Sequence, residues 1–141
     1  MLDKSMGAPS QDRTALKAFY QSSEAYYHGL KERESDTFHH EFLRMVRTYI
    51  SSPANLLDLG CGSGYSSFRL SKLGYRVVGM DISAKFLDQA ASRVGDKLQY
   101  SVGDALELPF VDQTFDGVAS FDMIEHVVDA KGVLKEVDRI L

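Results

Sequence analysis

The feature that most constrains this chain is the stretch NLLDLGCGSG at residues 55–64, a short apolar run leading into three glycines at Gly60, Gly62 and Gly64. Glycine has no Cβ and accepts positive φ, so a glycine cluster directly after a strand lets a ligand approach backbone amides at the turn into a helix. The stretch therefore predicts a strand, a tight turn and a helix in that order.

The spacing narrows the ligand. A dinucleotide turn reads G-x-G-x-x-G, whereas Tyr65 stands here where its third glycine would fall. Asp58, two residues before Gly60, would repel a pyrophosphate and attract an ammonium group. A second acid, Asp81, closes the apolar run RVVGM roughly 20 residues further on, where a strand-end carboxylate accepts ribose hydroxyls. An amino acid joined to a nucleoside satisfies both acids. Each acid taken alone also suits a turn or a helix cap.

Beyond Pro53 the chain alternates strand and helix patterns. NLLDL, RVVGM, LQYSV and FDGVASF read as strands, and YSSFRLSKL and AKFLDQAASRV between them read as helices. Gly74 and Gly95 are placed as C-terminal caps, and Ser83 and Asp129 as N-caps, the latter opening a final helix with Val133, Leu134, Val137, Ile140 and Leu141 on one face. The fold class is α/β, a Rossmann-like parallel sheet with helices on both faces. Before the sheet, Ala15, Leu16, Ala18 and Phe19 suggest a short helix, and the spacing of Phe38, Phe42, Leu43, Met45, Val46, Tyr49 and Ile50 predicts an amphipathic helix over residues 37–50. The expected division is a disordered arm at 1–13, N-terminal lid helices at 14–52 and a ligand-binding half-domain at 53–141.

With 141 residues, 44% of them hydrophobic, one core is expected. The net charge of −4 gives no electrostatic ground for a nucleic-acid partner. No run approaches a membrane span, and the polar start has no apolar signal region. Cys61, the one cysteine, can form no internal disulfide, and no Cys/His spacing matches a zinc site; a cytoplasmic location is expected.

Four stretches in order, LLDLGCGSG, VVGMDIS, VGDALELPF and FDGVASFDMIEHV, resemble the successive motifs of class I S-adenosylmethionine-dependent methyltransferases, in the small-molecule subgroup that includes quinone-biosynthesis enzymes. The resemblance implies S-adenosyl-L-methionine as cofactor, S-adenosyl-L-homocysteine as product and a small-molecule acceptor. It implies that Asp58, Gly60, Cys61, Gly62 and Gly64 line the methionine part, that Asp81 binds ribose with Ile82 packed on adenine, and that Asp104 and the Ala105 amide meet the adenine amino group. Phe121 joins this set, and Tyr27 is expected to reach the methionine carboxylate. Cys61 is read as a small loop residue rather than a nucleophile, having no identifiable base partner.

Asp122, Glu125 and His126 stand at i, i+3 and i+4, which one helical turn would bring to a single face. They are the candidate catalytic residues, as a general base or a divalent-cation chelate; as an alternative, Glu125 and His126 order the cofactor pocket. No residue is assigned as a metal ligand. Neither the Asn/Asp-Pro-Pro-aromatic motif of amino-group methyltransferases nor a Pro-Cys nucleophile is present. His28, His39 and His40 are expected at the surface, and Tyr20, Tyr26 and Tyr27 in the lid, with helix packing as the alternative for these aromatics and the expected role of Phe19.

The family fold has seven strands, and this sequence carries about four of them, so the sheet is expected to be incomplete and strand four an exposed edge open to self-association or a partner. The alternative to an enzyme is a non-catalytic cofactor-binding or assembly module.

Overall fold

The computed structural model describes residues 12–22 and 37–141. Two helices come first, α1 (Arg13–Ser22) and α2 (Thr37–Tyr49). Then follow β1 (Asn55–Leu59), α3 (Tyr65–Lys72), β2 (Arg76–Asp81), α4 (Ala84–Ala90), β3 (Leu98–Val102), β4 (Gly117–Ala119) and α5 (Ala130–Ile140). Short 3₁₀ turns cover Ala91–Arg93 and Ile124–His126.

All three strand pairs are parallel, in the order β3-β2-β1-β4. The chain steps outward from β1 to β2 to β3 and then crosses to the far side of β1. That reversal opens a crevice at the carboxyl ends of β1 and β4, the place where open α/β sheets hold ligands. Among the described residues β4 has a strand neighbour on one side only.

Strand β1 is buried on both faces because side chains alternate across a strand. Leu56 points into a cluster with Phe42, Leu43 and Val46 of α2 and Leu70 of α3. Leu57 and Leu59 point into the opposite cluster with Met80, Leu108, Phe115, Val133 and Ile140. Each fully buried leucine of this kind contributes about 1.5–3 kcal/mol of transfer free energy.

Several local expectations change. Met45 and Tyr49 lie on the exposed side of α2. Strand four covers only Gly117–Ala119 rather than the whole of FDGVASF. Gly95 is no left-handed cap; it bridges to Leu98 beyond a helix that has already tightened into the Ala91–Arg93 turn. Gly74, at φ 100°, donates to Ser71 O as the expected left-handed end of α3. Asp129 caps α5 through the Gly132 N–H at 2.8 Å. Ser83 begins α4 without a side-chain cap, its hydroxyl donating instead to the Tyr20 carbonyl at 3.3 Å.

Candidate functional site

A single cavity runs across the carboxyl ends of all four strands, lined by Asp58 to Ser63, Met80 to Ile82, Gly103 to Leu106 and Phe121 to Met123. Leu16 and Tyr20 of α1 and His39 of α2 wall its outer side.

The glycine turn is fixed from beneath. Met80 O accepts the Gly60 and Cys61 N–H groups at 2.8 and 3.0 Å. Asp81 Oδ2 accepts Gly62 N–H at 2.9 Å, and Asp81 Oδ1 accepts Ser83 N–H at 2.9 Å. Tyr100 donates to Gly64 O at 3.0 Å, and Arg93 to Ser63 O at 2.8 Å. Gly60, Gly62 and Gly64 all have positive φ, at 79°, 54° and 75°. A Cβ on Gly60 would run into the Met123 side chain, so glycine is required there on two counts.

Two carboxylates are buried below this turn. Asp58 is 1% exposed and accepts Ser67 Oγ–H at 2.5 Å; burial, partly offset by that bond and reinforced by Asp81, pushes its pKa up to about 6. Asp81 is 8% exposed, and burial raises its pKa against the lowering effect of its backbone partners. Among the described residues no cation pairs with either acid. Two desolvated carboxylates side by side favour a ligand that brings positive charge. Cys61 is buried, and desolvation together with the two acids holds its thiol protonated, which suits a packing role.

At the β3 end, Ile82 packs with Leu16, Phe19, Tyr20 and Phe86. Ala105 joins the cluster around Leu57. Asp104 is already engaged, because Arg13 Nε donates to its Oδ2 at 2.7 Å and Leu106 N–H to its Oδ1 at 2.9 Å. Each oxygen retains a lone pair for a ligand donor.

At the β4 end, ligand atoms of Asp122, Glu125 and His126 lie within 4.8 Å of one another, a separation compatible with one divalent cation. The convergence arises otherwise than the sequence suggests. No α-helical turn is present: Asp122 adopts φ 58° ahead of the Ile124–His126 3₁₀ turn. Tyr20 sits against His126 with ring centroids 6.3 Å apart. Burial, then Asp81, Asp122 and Glu125, push the Tyr20 hydroxyl up to about 12.

Phe121 packs at a tilt against His39 and Phe42, with centroids 5.1 and 4.9 Å apart. His39 is therefore in the cavity wall and not at the surface as the sequence suggests. The signal was available, since His39, Phe42, Leu43 and Val46 follow i, i+3, i+4, i+7 on the face of α2 that is buried. Arg13, Ser66 and Ser67 are further site residues that sequence reasoning missed, and nothing local in the sequence marks them. Tyr27, with Tyr26 and His28, lies outside the described residues, as do residues 1–11. Among the described residues no helix is long and apolar enough to cross a membrane.

Comparison with known proteins agrees with this geometry. Residues 57–141 match the family described as "Methyltransferase domain". Norajmaline N-methyltransferase of Rauvolfia serpentina is 35% identical over 109 residues, covering 71% of this chain and 37% of that protein. 2-phytyl-1,4-naphtoquinone methyltransferase of Thermosynechococcus vestitus is 32% identical over 136 residues, covering 91% of this chain and 60% of that protein. Among solved structures, the Haloferax volcanii complex of the Trm112 methyltransferase activator with a candidate methyltransferase aligns at TM-score 0.75 and 30% identity, covering 89% of this chain and 55% of that one. The chain thus spans 37% to 60% of the length of these proteins.

Proposed function

The chain belongs to the methyltransferase-domain family, and from that premise we propose that its cavity binds S-adenosyl-L-methionine and serves methyl transfer to a small-molecule acceptor, with S-adenosyl-L-homocysteine as product. The observation that carries the reading is the buried pair Asp58 and Asp81 beneath three positive-φ glycines.

The residues fit such a cofactor. Asp58 presents an uncompensated buried carboxylate to an ammonium. The glycine turn offers a surface from which Cβ atoms are absent. Asp81, anchored by the Gly62 and Ser83 amides, has lone pairs left for the hydroxyls of a ribose. Ile82 and Phe86 give an adenine ring an apolar wall, and Asp104 with the Ala105 amide lies at the edge where its amino group would meet them.

When bound, the cofactor supplies an activated methyl group for in-line displacement. The protein's own contribution is alignment and proton removal. His126, in the cavity wall, and Glu125, clustered with it, take the role of accepting the acceptor's proton, with Asp122 beside them. Tyr20 and Leu16 of α1 cover that side and keep water from the reacting atoms. The names of the relatives, an alkaloid N-methyltransferase and a naphthoquinone methyltransferase, support a small organic acceptor.

The test is calorimetric titration of the chain with S-adenosyl-L-homocysteine, followed by transfer of labelled methyl from S-adenosyl-L-methionine to a metabolite extract. Folded protein that binds neither nucleoside would refute the cofactor assignment. Binding without any labelled small-molecule product would refute the transfer reading and leave the cofactor site standing.

A further inference from the structure

We propose that Tyr100 of β3 is a positioning residue for the glycine turn: its ring crosses β2 over Gly79, its hydroxyl fixes the Gly64 carbonyl, and through the start of α3 it sets Ser67 and the Asp58 carboxylate. The proposal rests on the cofactor reading and extends it to a residue that does not itself line the cavity.

The sequence feature behind it is a glycine inside a strand. Gly79 interrupts RVVGMD, where a β-branched residue would pack better, and a strand glycine marks a place that another group approaches closely. The register identifies that group. Asp58 pairs with Gly79 and Gly79 with Tyr100, so the three stand in one row across β1, β2 and β3, on one face of the sheet. A Cβ on Gly79 would lie 2.7 Å from the Tyr100 ring and 2.7 Å from Ser67 Oγ. A Cβ on Gly64 would run into the Tyr100 hydroxyl. Two glycines from different elements thus leave room for one phenol.

The hydroxyl is placed at a junction. Gly64 O accepts Tyr100 O–H at 3.0 Å and Phe68 N–H at 2.9 Å, the latter the opening bond of α3. Ser67, in that first turn, donates in its turn to Asp58 Oδ2 at 2.5 Å. A fixed Gly64 carbonyl therefore fixes the start of α3, and the start of α3 fixes the carboxylate offered to a cationic ligand. Arg93 holds the preceding carbonyl, Ser63 O, at 2.8 Å, so the second half of the turn hangs from side chains that follow α4. Burial, then Cys61 and Asp58, raise the Tyr100 pKa against the pull of Arg93, which keeps the phenol a donor. Packing beside Cys61, Leu87 and Ala90 involves the ring. The hydroxyl is separable from it, because phenylalanine keeps the ring.

The experiment titrates Tyr100→Phe calorimetrically with S-adenosyl-L-homocysteine at a temperature where urea unfolding shows the variant fully folded, so that lost stability by itself leaves affinity unchanged. Loss of the one hydrogen bond should weaken binding by about threefold or more. Gln99→Ala, on the exposed side of β3, should match wild type. In a Ser67→Ala background the same change at Tyr100 should cost less than in wild type, because the two side chains act on Asp58 in series. In the free chain, the Gly64, Tyr65 and Ser67 amide resonances should move on Tyr100→Phe. A smaller loss of affinity, equal losses with and without Ser67, or unmoved amides would each overturn the proposal. A folded wild-type chain that binds no S-adenosyl-L-homocysteine would overturn the cofactor reading instead, and the amide resonances would then decide the positioning of the turn on their own.

Discussion

The Asp81 carboxylate accepts the Gly62 backbone N–H at 2.9 Å, tying the end of β2 to the middle of the glycine turn. The same side chain accepts Ser83 N–H, so one buried acid fixes both the turn and the start of α4. Asp81→Ala leaves two buried N–H donors unsatisfied, at about 1–3 kcal/mol each. Chemical denaturation should therefore show a lowered midpoint, and calorimetry a loss of S-adenosyl-L-homocysteine binding. An unchanged midpoint would mean that water replaces the carboxylate at no cost.

Asp58 makes stability depend on pH in a direction opposite to a salt-bridged acid. Its folded-state pKa of about 6 lies above the usual 3.8, so the folded chain binds the proton more tightly than the unfolded chain. Its contribution to stability is then most favourable below about pH 4 and is lost as pH rises through 6, a swing on the order of 3 kcal/mol for a shift of about two units. Asp58→Asn should remove this loss, so that the variant gains on wild type as pH rises from about 4 to 6 in thermal melts. A cationic ligand favours the ionised acid. Binding near pH 5.5 should therefore release protons, seen as buffer-dependent calorimetric enthalpies, and affinity should fall below about pH 6.

Gly64 illustrates a site where one compensating change is insufficient. At φ 75°, an added Cβ would meet the Tyr100 hydroxyl and lie 2.7 Å from the Ala90 Cβ. Gly64→Ala should destabilise the fold by about 1–3 kcal/mol, from backbone strain and crowding together. Adding Tyr100→Phe removes the hydroxyl clash, yet the Ala90 contact and the positive φ persist. Urea titration should show the double variant still below Tyr100→Phe alone, and full recovery would contradict the strain argument.

Arg139 fastens α5 to the loop after β3, donating to Leu108 O and Phe110 O and to the carboxylates of Asp112 and Glu136. Its guanidinium, with the Leu108 amide, lowers the Glu136 pKa to about 2. A depressed acid contributes stability that is present above its unfolded value of 4.5 and is lost as pH falls through 2. Arg139→Ala should move the Glu136 titration upward in NMR and lower the melting temperature at neutral pH. The gap from wild type should close towards pH 2.

Glu125→Gln and His126→Gln test the proposed proton acceptor. General-base roles are worth about 10²–10⁴-fold in rate, so methyl transfer should fall by that order while S-adenosyl-L-homocysteine affinity changes by less than about twofold. A parallel loss of affinity would assign both residues to the cofactor pocket instead.

Much of the architecture was legible because neighbours in sequence carry it. The apolar alternation from Asn55 onward, the glycines after β1 and the Asp129 cap are local signals, and all appear in the structure. Less legible was the segment from Phe121 to His126, where an i, i+3, i+4 spacing suggested a helical turn and the backbone takes a positive φ at Asp122 and a 3₁₀ turn instead. The three side chains still converge, because a short turn at the end of β4 is confined between the Gly60 backbone and α1.

By itself the sequence determined the strand and helix order, the position of the glycine turn, and the acids at the ends of β1 and β2. Only the tertiary structure decided what those acids touch and which distant residues complete the cavity. Arg13 reaches Asp104 across 91 positions, and His39 reaches Ser66 across 27. Local preferences encode φ, ψ and amphipathic faces, but contacts such as these exist only once α1 and α2 have buried Leu16, Tyr20, Phe42, Leu43 and Val46 against the sheet and its loops. The energy that seats those helices is apolar and non-directional, so the polar partners it brings together leave no mark in the neighbouring sequence.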